Sequence, residues 1–140
     1  MGTRTRLELI HQVLDNLGVL VPGQAPSDED VDKVDKVIDP TVASLQAREI
    51  VYISDTGTPS PPTGGEIDDA IFLPTADVVT DRCTPSFNMA GDAQLRVLAT
   101  QALDELRVIG RPPRTLKTLQ CDAGVRTQHT RGTGSFTSGT

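Results

Sequence analysis

From Arg111 onward the chain reads RPPRTLKTLQCDAGVRTQHTRGTGSFTSGT, where Leu116, Leu119, Val125 and Phe136 stand isolated among Thr, Ser, Gly and basic residues. A stretch so poor in apolar surface cannot offset the entropy of ordering itself, so it is expected to gain order only against another surface. The folded body must then come from residues 1–110, enough for one modest core and no second domain. The sequence divides into a helical domain, residues 1–110, and an extended C-terminal arm, residues 111–140.

What the body can be is narrowed by its lack of aromatics: Tyr52, Phe72, Phe87 and Phe136 are all there are, with no Trp. A core of Leu, Ile, Val and Ala suits packed helices better than a β-sandwich. Leu7, Ile10, Leu14 and Leu17, broadened by Val13, recur at helical spacing and predict a first helix over about Arg4–Leu17, closed by Gly18. Ser27 before Asp28, Glu29 and Asp30 is an N-cap with acids in the first turn. Val31, Val34, Ile38, Val42 and Leu45 then keep one face across Pro40, predicting a kinked helix or two abutting helices with Asp39 capping the second, ending near Arg48–Ile50.

Ile50–Ile53 has β propensity, and residues 54–65, SDTGTPSPPTGG, read as an exposed loop able to carry contacts. Over Glu66–Phe87, Ile67, Ile71, Pro74 and Val78 line one side of a third helix with an internal proline, stopped by Pro85. Leu95, Leu98, Ala102, Leu106 and Ile109 form a fourth stripe between Asp92 and Gly110, in a hairpin with the third helix. The expected fold class is all-α: a small bundle of about four helices with a long Pro/Gly-rich loop and an extended C-terminal arm.

The formal net charge of −6 conceals two opposite ends: residues 1–106 carry 7 basic against 18 acidic side chains, and residues 107–140 carry 6 basic against Asp122. An acidic body repels phosphate and is a poor nucleic-acid wrapper, while the basic arm could meet an acidic surface or DNA. Cys83 and Cys121 have neither disulfide nor metal-ligand spacing, so a reduced, intracellular setting is expected. The N-terminal MGTRTRLELIHQVLDNLG is too polar for a signal peptide or membrane span, and Arg6 stands where an acylation signal wants Ser or Thr. No membrane partner is expected.

Catalytic chemistry finds little to work with. His11 lies on the first helix and His129 in the arm, neither Cys has a base nearby in sequence, and GxSxG, HExxH and Walker-type motifs do not occur. A zinc site would need Cys83, Cys121, His11 and His129 to converge. Asp28, Asp30, Asp32 and Asp39 imitate a calcium loop, but Lys33 stands at the glycine position and the valine period is helical. The expectation is no catalytic residue, no metal and no cofactor. Asp28, Asp32, Asp35 and Asp39 instead fall on one side of the second helix, which reads either as a solvated face or as a negatively lined channel past which DNA slides without sticking. In the arm, Arg111, Arg114 and Lys117 with Leu116 and Leu119 read either as a soluble linker or as a docking strap that pairs with a neighbouring subunit.

The order of parts resembles the head-to-tail adaptor (connector, tail accessory) proteins of tailed bacteriophages. The resemblance rests on TRLELIHQVLDNLGVLVPGQAPSDEDVDKVDKVID, DDAIFLPTADVVTDRCTPSF and LRVLATQALDELR, including the Leu-Gly end of the first helix, the turn Gly23 to Pro26, Phe72-Leu73-Pro74 and the exit Pro85–Phe87. It implies a structural virion protein, not an enzyme, that is assembled in the host cytoplasm and sits at the head-tail junction. There it would form a ring with itself, usually of 12 copies, beneath the portal protein. The ring would extend the DNA channel, help retain packaged DNA for ejection and offer a platform to tail or nozzle proteins, with DNA passing through unbound. By position, Arg111–Leu119 matches the arm that reaches the portal and neighbouring subunits, and residues 54–65 match a loop facing tail components. The alternative from another class is a small helical nucleic-acid-binding or regulatory protein, disfavoured because Asp92, Asp104 and Glu105 make the fourth helix a poor recognition helix.

Overall fold

The computed structural model describes residues 2–89 and 91–110. Helix α1, Arg6–Asn16, begins at a capping box: the Glu8 amide donates to Thr5 Oγ1, and Glu8 Oε2 accepts from the Thr5 amide at 2.7 Å. Helix α2, Asp28–Ala47, starts at Ser27, whose hydroxyl accepts from the Asp30 amide. It runs through Pro40 as one helix of 20 residues, not two. Pro40 lies on the exposed side, where the carbonyl left without its donor can meet water. Asp39 caps nothing there, because its carboxylate is engaged elsewhere.

Helix α3, Asp69–Cys83, is capped by Asp68 and continues into a 3₁₀ turn, Thr84–Phe87, which Asn88 closes in the left-handed region at φ 58°. It is the central element, packing against α1, α2 and the last helix, α4 (Ala93–Ile109). That position explains why Ile71, Phe72, Thr75, Ala76, Val78, Val79, Thr80 and Cys83 are buried on almost every side. The hydroxyls of Thr41 and Thr80 are satisfied within their own helices, each donating to the carbonyl four residues back at 2.7 Å. The core joins Leu9, Ile10, Val13 and Leu14 of α1 to Val34, Ile38, Val42 and Leu45 of α2 and to this helix.

The all-α expectation holds, with one small addition. Two-residue strands β1 (Thr3–Arg4) and β2 (Ile67–Asp68) pair antiparallel, Thr3 opposite Asp68 and Arg4 opposite Ile67. The β propensity of Ile50–Ile53 is not expressed as a strand: Ile50, Val51 and Ile53 are buried without ladder pairing. The third helix is also shorter than the expected Glu66–Phe87, since its ends are taken by β2 and the 3₁₀ turn.

Candidate functional site

On α1 the buried stripe is led by a charge. Arg6 occupies the phase of Ile10, Val13 and Leu17, and its side chain is 0% exposed, whereas Leu7, expected in the core, is 40% exposed. A buried guanidinium is tolerable only if every N–H is used. Arg6 Nε donates to Asp35 Oδ1 at 2.6 Å, Nη1 to Asp39 Oδ1 at 2.8 Å and the Thr56 carbonyl at 3.1 Å, and Nη2 to the Asp35 carbonyl and Asp39 Oδ2, both at 3.1 Å. All five donors are satisfied in a bidentate geometry that lysine could not reproduce. Asp35 and Asp39 stand four residues apart on α2, which sets both carboxylates over one guanidinium.

The same group holds the Pro/Gly-rich loop against the helices. The Ser60 amide donates to Asp35 Oδ2 at 3.1 Å, Thr56 Oγ1 to Asp39 Oδ1 at 3.3 Å, and the Arg6 amide to the Gly64 carbonyl at 2.9 Å. Within the loop, Asp55 bridges Glu66 and Thr58 bridges Thr63. Gly57, at φ 81°, is required at this turn, because a Cβ would lie 2.6 Å from the Thr63 carbonyl oxygen. Residues 54–65 are therefore not a free loop but a braced hairpin with Thr58, Pro59, Ser60 and Pro61 outward. Pro61, Pro62 and Ser60 form one wall of an open groove of about 550 Å³, and Asp28, Glu29, Val31 and Asp32 form the other.

This arrangement corrects the acidic stripe. Asp35 is 2% exposed and paired with Arg6, so it faces no channel. Asp39 is shared with Arg6, and Asp32 pairs with Lys36 at 2.8 Å, which leaves Asp28 as the member of the row without an ion pair among the described residues. The Arg6 hydrogen bond, opposed by burial and aided by the Arg6 charge, lowers the Asp39 pKa. Burial pulls the Arg6 pKa down, but the bonds and charges of Asp39 and Asp35 outweigh it and raise the value. Arg6 itself escaped the sequence reading. Its signal was available: an arginine at i with Ile10 at i+4, Val13 at i+7 and Leu17 at i+11.

Elsewhere, burial pushes the Cys83 thiol up to about 12, so it is not a ready nucleophile at neutral pH. His11 is exposed on α1. Among the described residues no group of three or more His, Cys, Asp or Glu side chains is placed to hold a metal, and no helix is long and apolar enough to cross a membrane. The expected strap residues Arg111, Arg114, Leu116, Lys117 and Leu119, and Cys121 and His129, lie outside the described residues.

Helix α4 packs chiefly on α3 and buries only Ala99, Ala102 and Leu106. Leu98 and Ile109, expected in its core stripe, are 42% and 41% exposed, and Val97 and Val108 point away from α3 at 55% and 66%. A helix covered on one side has a narrow buried face, so the flanks of the predicted stripe stay outside. Four exposed aliphatics on one helix are more than an acidic surface needs. Comparison with known proteins adds no identification: no family model, curated protein or solved structure matches this chain.

Proposed function

We propose that this chain is a head-to-tail adaptor of a tailed bacteriophage, a structural protein that forms a ring on the portal and conducts DNA without chemistry. The observation that carries the reading is α4: an outer face bearing Val97, Leu98, Val108 and Ile109 that leads directly into a basic, apolar-poor sequence. Such a helix is better suited to a subunit in an assembly than to a self-contained globule. The braced hairpin 54–65 supports the same reading, since a surface held by an internal ion cluster is presented to a tail partner without an ordering cost on contact. The acidic body is suited to lining a conduit, because it repels the phosphates that pass it. In this role the ring, of about 12 copies, would lie at the head-tail junction between the portal and the tail or nozzle proteins.

Particle imaging of the full chain mixed with the portal of the same virus tests this. The expected result is an added ring stacked coaxially on the portal. Portal particles left bare when both proteins are at micromolar concentration would overturn it. A salt-dependent shift of duplex DNA by the free monomer would instead favour the nucleic-acid-binding alternative.

A further inference from the structure

The ion cluster that holds the hairpin does not balance: Arg6 brings one positive charge against the two carboxylates of Asp35 and Asp39. Asp35 is spent inside, with Oδ1 on Arg6 Nε and Oδ2 on the Ser60 amide. The surplus negative charge therefore reaches the surface through Asp39, whose side chain is 47% exposed. Its Oδ1 accepts from Arg6 Nη1 and Thr56 Oγ1, whereas among the described residues Oδ2 accepts from Arg6 Nη2 alone and keeps a lone pair.

Asp39 lines a hollow of about 330 Å³ at the foot of the hairpin, together with Val42, Gln46, Tyr52, Ser54 and Thr56. Gln46 Nε2 is used on the Ile53 carbonyl at 2.9 Å, which leaves its Oε1 as an acceptor. Tyr52, the chain's one tyrosine, is 79% exposed, and among the described residues no cation lies over its ring. No Lys or Arg among the described residues lines the hollow, and Lys36, one turn before Asp39, is taken by Asp32 at 2.8 Å. An open aromatic face beside a carboxylate with surplus charge fits a guanidinium. That group stacks on a ring, donates from a planar fork and sheds water more readily than an ammonium. One added guanidinium brings the cluster to two cations on two carboxylates.

We propose that the hollow of Asp39, Gln46, Tyr52 and Ser54 receives an arginine side chain of a partner protein, its guanidinium lying on the Tyr52 ring and donating to Asp39 Oδ2. The inference goes beyond the adaptor reading and does not need it. Ser54 and Thr56 belong to both the hollow and the hairpin 54–65, so the partner is the protein that meets the hairpin.

NMR titration of the full chain with the peptide acetyl-Gly-Arg-Gly-amide is the test. The expected result is saturable shifts of the Tyr52 ring and the Gln46 side-chain amide, with a Kd of about 1 mM. The matching citrulline peptide, which keeps the shape without the charge, should bind at least about tenfold more weakly, and the lysine peptide about threefold more weakly. Tyr52→Ala should weaken the arginine peptide about threefold. Ser54→Lys, which supplies a cation of its own, should weaken it about tenfold or more. Both positions are exposed, and an unchanged amide spectrum away from the hollow checks the fold. No shift at about 10 mM peptide, or equal binding of the citrulline peptide, would overturn the seat. Equal binding of the lysine peptide would overturn arginine as the occupant. Tyr52 shifts that follow protein concentration before any peptide is added would overturn a foreign partner in favour of the chain's own basic residues. Imaging with the portal reads the adaptor proposal separately: rings without peptide binding sink the seat alone, and bare portals with peptide binding sink the adaptor reading alone.

Discussion

The hairpin 54–65 and the outer face of α4 are both surface features, but the molecule treats them in opposite ways. The hairpin is polar, Pro/Gly-rich and unsuited to forming a core, yet it is held by Arg6, Asp35 and Asp39 through both side chains and backbone. Helix α4 is apolar and regular, yet Val97 and Val108 are 55% and 66% exposed. Composition alone would have ranked them the other way. Order in the hairpin comes from satisfying one buried charge, whereas the exposure on α4 comes from its packing chiefly on α3.

The sharpest way to break that contrast is Arg6→Met. Removing one partner of a buried ion cluster leaves Asp35 charged and unpaired, and urea unfolding should show a loss of about 3–5 kcal/mol. Adding Asp35→Leu should recover most of it, because a well-packed apolar pair lacks the desolvation cost. A loss below about 1 kcal/mol for Arg6→Met would mean that the hairpin is not held from within.

On α4 the two sides should separate next. Leu106→Ala, at 0% exposed, should cost about 2–5 kcal/mol by thermal or urea unfolding, whereas Val108→Ser should stay within about 0.5 kcal/mol. A large loss at Val108 would show that the outer face is already covered. Gly57→Ala ranks below Leu106→Ala, at about 1–3 kcal/mol, since it combines the left-handed backbone with a contact on the Thr63 carbonyl. Gly64→Ala, at φ 70° with open space around it, should cost only the backbone part, about 1 kcal/mol.

The smallest effect concerns pH. Burial and the nearby Glu105 charge raise the Asp77 pKa, so its charged form weakens the fold. Its contribution is fully present below the unfolded carboxylate value and is lost as pH rises through the folded one. Asp77→Asn, which keeps the acceptor for the Asn16 amide, should therefore stabilise by about 0.5 kcal/mol at neutral pH and by nothing in acid. Asp39 runs the other way: its lowered pKa contributes stability above the unfolded value, lost as pH falls through the folded one.

The helices were legible because their apolar periods and caps are local. Ser27 and Asp92 cap the helices that follow them, and Val34, Ile38, Val42 and Leu45 are buried on the expected face of α2. The β1–β2 pair was not legible, because two-residue strands carry no alternation and their partners lie more than sixty residues apart. The hub was half legible. Asp35 and Asp39 stood out as acids on one face, but a row of carboxylates looks the same whether it meets water or an arginine from another helix. Treating the core as apolar put Leu7 in the place of Arg6, and with it the hairpin became a free loop. The α4 stripe failed at Leu98 and Ile109 because periodicity gives the direction of a face, while its width depends on how many neighbours cover it.

Hydrogen exchange of the full chain, free and mixed with the portal proposed as its partner, tests the contrast most directly. The amides of Arg6, Thr58, Ser60, Thr63 and Glu66, all hydrogen-bonded in the hub and hairpin, should exchange slowly in both states. The last turn of α4 should exchange fast in the free chain and slow down if the proposed portal partner binds there. Fast exchange throughout 55–66, or an α4 terminus unchanged in a mixture where rings have formed, would contradict the account.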